Sequence, residues 1–98
     1  MDLVFEWDPN KDRANQDKHT ISFSEATSVF SDPLARILPD EDHSVEELRE
    51  IIAGHSNAKR LLLVIFVERT EVRVRIISAR RATKRDLHEH EDHVTYES

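Results

Sequence analysis

Seven consecutive apolar residues, Leu61-Leu62-Leu63-Val64-Ile65-Phe66-Val67, give the strongest structural signal in the chain. A run this short, rich in β-branched and aromatic side chains, reads as a β-strand covered on both faces. It falls far below the roughly 20 residues that a membrane helix requires. A chain of 98 residues built around such a strand makes one domain, 1–98, near the lower size limit for folding without a metal or disulfide. Cysteine is absent, which excludes disulfides, thiol catalysis and zinc–thiolate sites. The start, Met1-Asp2-Leu3, lacks the basic and apolar stretches of a signal peptide, so the expected location is the cytoplasm, with no membrane association.

Around that strand the elements read in the order β-α-α-β-β-β-β-α. Leu3 to Trp7 is a short strand, and Asp8-Pro9 then opens a very polar helix through His19, with Asp8 as N-cap and Pro9 at the first helical position. Ser22-Phe23-Ser24-Glu25 fits a capping box, and Phe23, Ala26, Val29 and Phe30 follow at helical spacing, which predicts a core helix. Strands are expected at Leu34–Leu38, Arg49–His55 and Val72–Ala79, with an acidic loop at Asp40-Glu41-Asp42 and a single capped turn at Ser44–Glu47. Glu68-Arg69-Thr70-Glu71 holds neither Gly nor Asn, so a type I loop is expected there rather than a two-residue primed turn. Thr83-Lys84-Arg85-Asp86 is a further capping box opening a last helix, and residues 88–98 are expected to fray. Helices first and strands afterwards predict an α+β fold, a small antiparallel sheet with helices packed on it.

The net charge of −6 conceals a segregation of sign: residues 60–85 carry +6, and the rest of the chain −12. Seven of the eight cations in that segment are arginines, which suit bidentate phosphate contacts. Strand alternation sets Arg73 and Arg75 on one face, followed by Arg80-Arg81 and a helix start bearing Lys84 and Arg85, an arrangement fit to bind a polyanion. The competing reading is a solvated face paired with Glu68 and Glu71. Lys18-His19, at the end of the first helix, offers a titratable base beside a cation, or simply a helix C-terminal cap. His90 and His93, with Glu89 or Asp92, have the spacing to share a metal, yet a polar tail explains them as well. Gly54 is the sole glycine, and no phosphate loop, nucleophile elbow or His-Glu-x-x-His motif is present, so nucleotide-dependent, elbow-hydrolase and zinc-protease chemistries have no support.

Phe5-Glu6-Trp7-Asp8, Lys11, Asn15, Lys18-His19, Phe23-Ser24-Glu25-Ala26, Phe30, Asp32-Pro33, Arg49, Gly54, Arg60-Leu61-Leu62, Glu68-Arg69 and Arg75 through Ala82 together resemble the BrnT family of type II toxin–antitoxin toxins. The likeness runs from residue 3 to about 91. It implies a RelE-like fold, a ribonuclease that blocks translation, and a DNA-binding, BrnA-like antitoxin partner through which any DNA contact is made. It departs from the family pattern at Thr20, where a glycine is usual, and at His90, where a tyrosine is frequent.

A metal-free ribonuclease, needing no cofactor, requires a base near the 2′-hydroxyl, cations around the phosphorane and an acid for the 5′-oxygen. The catalytic candidates are His19, Lys18, Arg75, Arg80 and His90, with Arg73, Arg81, Lys84 and Arg85 expected to bind RNA phosphates. The alternative is a non-enzymatic module whose sheet and basic face only hold a partner protein.

Overall fold

The computed structural model describes residues 2–40, 48–83 and 85–86. Val4–Glu6 forms strand β1, Pro9–His19 helix α1, and Phe23–Ser28 helix α2, which tightens into a 3-10 turn over Val29–Ser31. Strands β2 (Arg36–Pro39), β3 (Arg49–His55), β4 (Leu61–Glu68) and β5 (Arg73–Arg81) follow. Arg85 and Asp86 are helical, where the last helix is expected to begin. The capped turn at Ser44–Glu47, the acidic residues Glu41 and Asp42, the rest of that helix and the tail at 88–98 lie outside the described residues.

The helix starts follow the local chemistry of the sequence. The Asp8 carboxylate accepts from the Asn10 N–H at 2.8 Å ahead of Pro9, and Ser22 Oγ accepts from the Glu25 N–H at 3.0 Å. Glu25 does not complete the box. Its carboxylate instead takes the Arg60 guanidinium and, at 2.7 Å, the Ser56 hydroxyl, which ties α2 to the β3–β4 hairpin. The arginine bond holds the Glu25 carboxyl below its usual range and raises the Arg60 pKa in turn.

The sheet runs β1-β5-β4-β3-β2. β2 through β5 form antiparallel ladders, but β1 lies parallel to β5, so the sheet is mixed rather than wholly antiparallel. β1 reaches its partner from the far end of the chain, across both helices, so no hairpin dictates its direction.

Helix α2, the turn before it and the 3-10 turn after it pack on one face. Ile21, Phe23, Ala26 and Val29 meet Ile52, Leu62, Val64, Phe66, Val74, Ile76 and Ala79. Phe30 bridges Phe5 and Phe66 edge-on, with ring centroids 5.1 and 5.0 Å apart. The apolar run of β4 is therefore split by the pleat. Leu62, Val64 and Phe66 are fully buried under the helices, whereas Leu61, Leu63 and Ile65 are half-buried on the other face. The β4–β5 connection is the longer loop expected: Thr70 Oγ1 accepts from the N–H groups of Val72 and Arg73, doing with a hydroxyl what a glycine turn does by conformation.

Two positions are tightly constrained. Gly54 on β3 faces the loop after the 3-10 turn, and a Cβ there would stand 2.8 Å from the Ala35 Cβ and 3.1 Å from the Val29 Cγ1. Gly54→Ala should therefore destabilise the protein by roughly 1–3 kcal/mol, measurable in urea unfolding. Thr20 ends α1 in the left-handed region, at φ 60 and ψ 23, with its N–H on the Gln16 carbonyl. A β-branched residue is strained there, so Thr20→Gly should stabilise the fold by about 0.5–1 kcal/mol and raise the melting temperature by a few degrees.

Candidate active site

Strict alternation along β5 would leave Arg80 on the helix side, out of phase with Arg73 and Arg75. The structure shows otherwise. Ile65 of β4 pairs with Ser78 and Phe66 with Ile76, so Ile77 is an extra residue in the ladder. The bulge reverses the parity of everything after it. Arg75, Ser78 and Arg80 lie opposite Val67, Ile65 and Leu63, on the face away from the helices. Through the β2–β3–β4 ladders the same face also receives Arg36 and Arg49. Arg81 is opposite Leu62 on the helix side, where its charge acts on Glu25. Strand alternation separates Arg80 from Arg81, and the bulge decides that Arg80 is the one that joins Arg75.

Each arginine of the β5 row has an acidic neighbour. Arg75 lies 3.0 Å and Arg73 3.5 Å from the Glu6 carboxylate on β1, so their partner is Glu6 rather than the nearby Glu68 or Glu71. Arg80 grips Asp86 through both guanidinium nitrogens, at 2.7 and 2.9 Å. Asp86 also accepts from the Thr83 N–H and returns its own N–H to Thr83 Oγ1, completing the predicted capping box. Arg80 therefore anchors the start of the last helix as well as standing in the row. Arg85 is exposed within that first turn, and Lys84 and His90 lie outside the described residues.

Lys18 and His19 stand at the end of α1, beside β5. With Lys11, Ala14, Asn15, Ile77 and Ser78 they line an open cleft of about 230 Å³. Lys11, Ala14, Asn15 and Lys18 are spaced i, i+3, i+4 and i+7, a single stripe of the helix. The floor residue Ser78 is also a member of the arginine face, next to Arg80 along the strand. Ser78 is thus common to the cleft and the arginine face, while the arginines themselves do not line the cleft. A second pocket of about 170 Å³, near Asp32, His55, Leu61 and Leu63, holds neither lysine nor arginine and suits an anion poorly. Among the described residues, no cluster of three His, Asp or Glu side chains is placed to hold a metal. None of the helices described there is long and apolar enough to cross a membrane.

Lys11 and Ser78 are cleft residues not anticipated as site residues. The heptad spacing of Lys11 and Lys18 is a usable sequence signal for the first. Ser78 has none, because its face depends on the bulge.

The family model for BrnT, the ribonuclease toxin of type II toxin–antitoxin systems, matches residues 7–86. The chain belongs to the BrnT family. Among solved structures, it is similar to the 1.1 Å crystal structure of the Brucella abortus ribonuclease toxin BrnT. The TM-score is 0.63 and the identity 24%, over 86% of this chain and 99% of that one, a likeness of fold. No curated protein sequence matches.

The anchor at Asp86 has a pH signature. The Arg80 bonds, with those from Thr83, hold its carboxyl far below the ordinary range against the opposing effect of burial. A depressed folded-state pKa adds stability that is complete above the unfolded value, about 3.9, and is lost as pH falls through the folded one. The stability advantage of the wild type over Asp86→Asn should thus hold from neutral pH to about 5 and shrink below about 4, as read by thermal melts across that range.

Proposed function

We propose that this BrnT-family protein is a metal-independent endoribonuclease acting through the cleft between α1 and β5. The observation that supports the reading is Ser78, which lines the cleft together with Lys18 and His19 and has the same strand parity as Arg75 and Arg80. Family membership supplies the RNA substrate and the existence of an antitoxin partner. The finer expectations are a RelE-like lineage, a BrnA-like antitoxin that carries the DNA-binding segment, translation as the process blocked, and the cytoplasm as the place of action. Residues 1–98 act as one catalytic domain in this reading.

The reaction is an internal transesterification. His19 takes the proton of the 2′-hydroxyl as the 2′-oxygen bonds to phosphorus, and the P–O5′ bond breaks as an acid protonates the leaving 5′-oxygen. Lys18, Lys11 and Arg75 stabilise the dianionic phosphorane, while Arg73 and Arg80 extend the phosphate track along β5. Those cations supply charge at the place where it develops, so the step needs no metal. His90 is the second candidate proton carrier. Arg75 is a cleaner probe than Arg80, whose loss also frees the helix anchor at Asp86.

Purified toxin should cleave RNA in the presence of a chelator and leave 2′,3′-cyclic phosphate ends. His19→Ala should lower the rate by about 10²–10⁴-fold and Arg75→Ala by about 10²–10³-fold, both keeping antitoxin binding. Tight antitoxin binding with no cleavage by the wild type would instead make the chain a non-enzymatic module. Full activity in His19→Ala would remove that residue from the mechanism.

A further inference from the structure

We propose that Asn15 is the positioning residue of this site: its amide locks the last turns of α1 to the bulged stretch of β5 and thereby sets where Lys18 and His19 stand relative to Arg75 and Arg80. The inference rests on the ribonuclease reading above and assigns a role that neither the family match nor the charge pattern indicates.

β1 pairs with β5 only from Arg73 to Arg75, so beyond that point the outer edge of β5 has no neighbouring strand among the described residues. Asn15 takes the place of one. Its Oδ1 accepts from the Ala79 N–H at 3.1 Å and its Nδ2 donates to the Ala79 carbonyl at 2.8 Å, across 64 residues of chain. A primary amide presents the same donor and acceptor as a peptide group, which is why it can cap a strand edge where a carboxylate or hydrocarbon cannot. The same Nδ2 donates to the Ile21 carbonyl at 2.8 Å, holding the turn that follows α1.

No apolar contact shares this task within the helix. Asn15 is the one buried residue of α1, at 7% exposure, and Ala14 is its sole other small apolar neighbour in the stripe. An amphipathic helix is held by a broad apolar face; α1 has none, so its register against β5 depends on these polar bonds. The gripped residue, Ala79, lies between Ser78 in the cleft floor and Arg80 in the arginine row. Asn15 in turn stands one helical turn before Lys18 and His19. The clip therefore joins the two halves of the site at their nearest covalent points. A displacement of about 1 Å in a catalytic group costs on the order of 10²-fold in rate.

The test compares Asn15→Ala and Asn15→Asp with Val29→Ala, a core truncation in the 3-10 turn that is remote from the cleft. All are assayed on RNA at a temperature where circular dichroism shows them folded. Asn15→Ala should lose about 100-fold in kcat with KM changed less than about threefold, whereas Val29→Ala should keep kcat within about threefold. By NMR, hydrogen exchange at the Ala79 amide should accelerate and the His19 ring resonances should move in Asn15→Ala, with neither change in Val29→Ala. Asn15→Asp retains only the acceptor toward the Ala79 N–H and serves as the test variant should the alanine form not fold. Equal losses of kcat in the Asn15 and Val29 variants, with unchanged Ala79 exchange, would overturn the proposal. If the wild type fails to cleave RNA, the ribonuclease reading falls by itself, and the two NMR measurements still decide whether Asn15 sets the geometry of α1 on β5.

Discussion

A single extra residue in β5 decides which side chains of this protein can act together. Ile77 has no partner in the β4 ladder, and the strand therefore changes phase between Ile76 and Ser78. Before the bulge, Val74 and Ile76 face the helices while Arg73 and Arg75 face away; after it, Ala79 enters the core and Ser78 and Arg80 join the arginine face. Without the shift, Ser78 and Arg80 would turn toward the helices, and Arg81 rather than Arg80 would stand in line with Arg73 and Arg75. The bulge puts Ala79 rather than Ser78 into the core and brings Arg80 rather than Arg81 onto the opposite face.

The second structural problem is the placement of α1, a helix almost devoid of apolar residues. Its start is set by Asp8 and Pro9, its end by the left-handed Thr20, and its lateral position by the buried amide of Asn15. Directional polar bonds locate a helix more sharply than an apolar stripe, which tolerates sliding and rotation. A polar helix also leaves its lysines free to line a cleft, since no side chains are spent on a hydrophobic interface. Lys11, Lys18 and His19 sit on that cleft because α1 is polar, and α1 is held there because one of its polar residues is buried.

The acidic majority of the chain is also placed with effect. Glu6 and Asp86 lie against the cations of the β5 row, and Glu25 against Arg60 at the start of β4. These carboxylates hold the guanidinium groups in fixed directions and temper a concentration of charge that would otherwise repel itself. Glu6 thereby occupies two of the arginines, Arg73 and Arg75, at once.

Much of this architecture is local and was readable from residue order. The caps at Asp8 and Ser22, the box at Thr83–Asp86, the β3 span Arg49–His55 and the existence of strand β4 each depend on neighbours within a few positions, whereas the outer face of β4 is only half covered. The family pattern, spread over nearly the whole chain, likewise needs only order and spacing. Contacts between distant segments were not legible: the parallel docking of β1 on β5, the choice of Glu6 as partner for Arg73 and Arg75, and the pairing of Asn15 with Ala79 across the fold. The choice of Arg80 rather than Arg81 as the companion of Arg75 was hidden for a related reason, since a bulge is a mismatch between two strands and neither strand carries it alone. The sequence by itself thus determined the elements, the cations and the family, because those follow from local propensity and composition. Only the tertiary structure decided which cations share a face and what ties α1 to β5, because strand parity and buried polar bonds exist only once the segments have met.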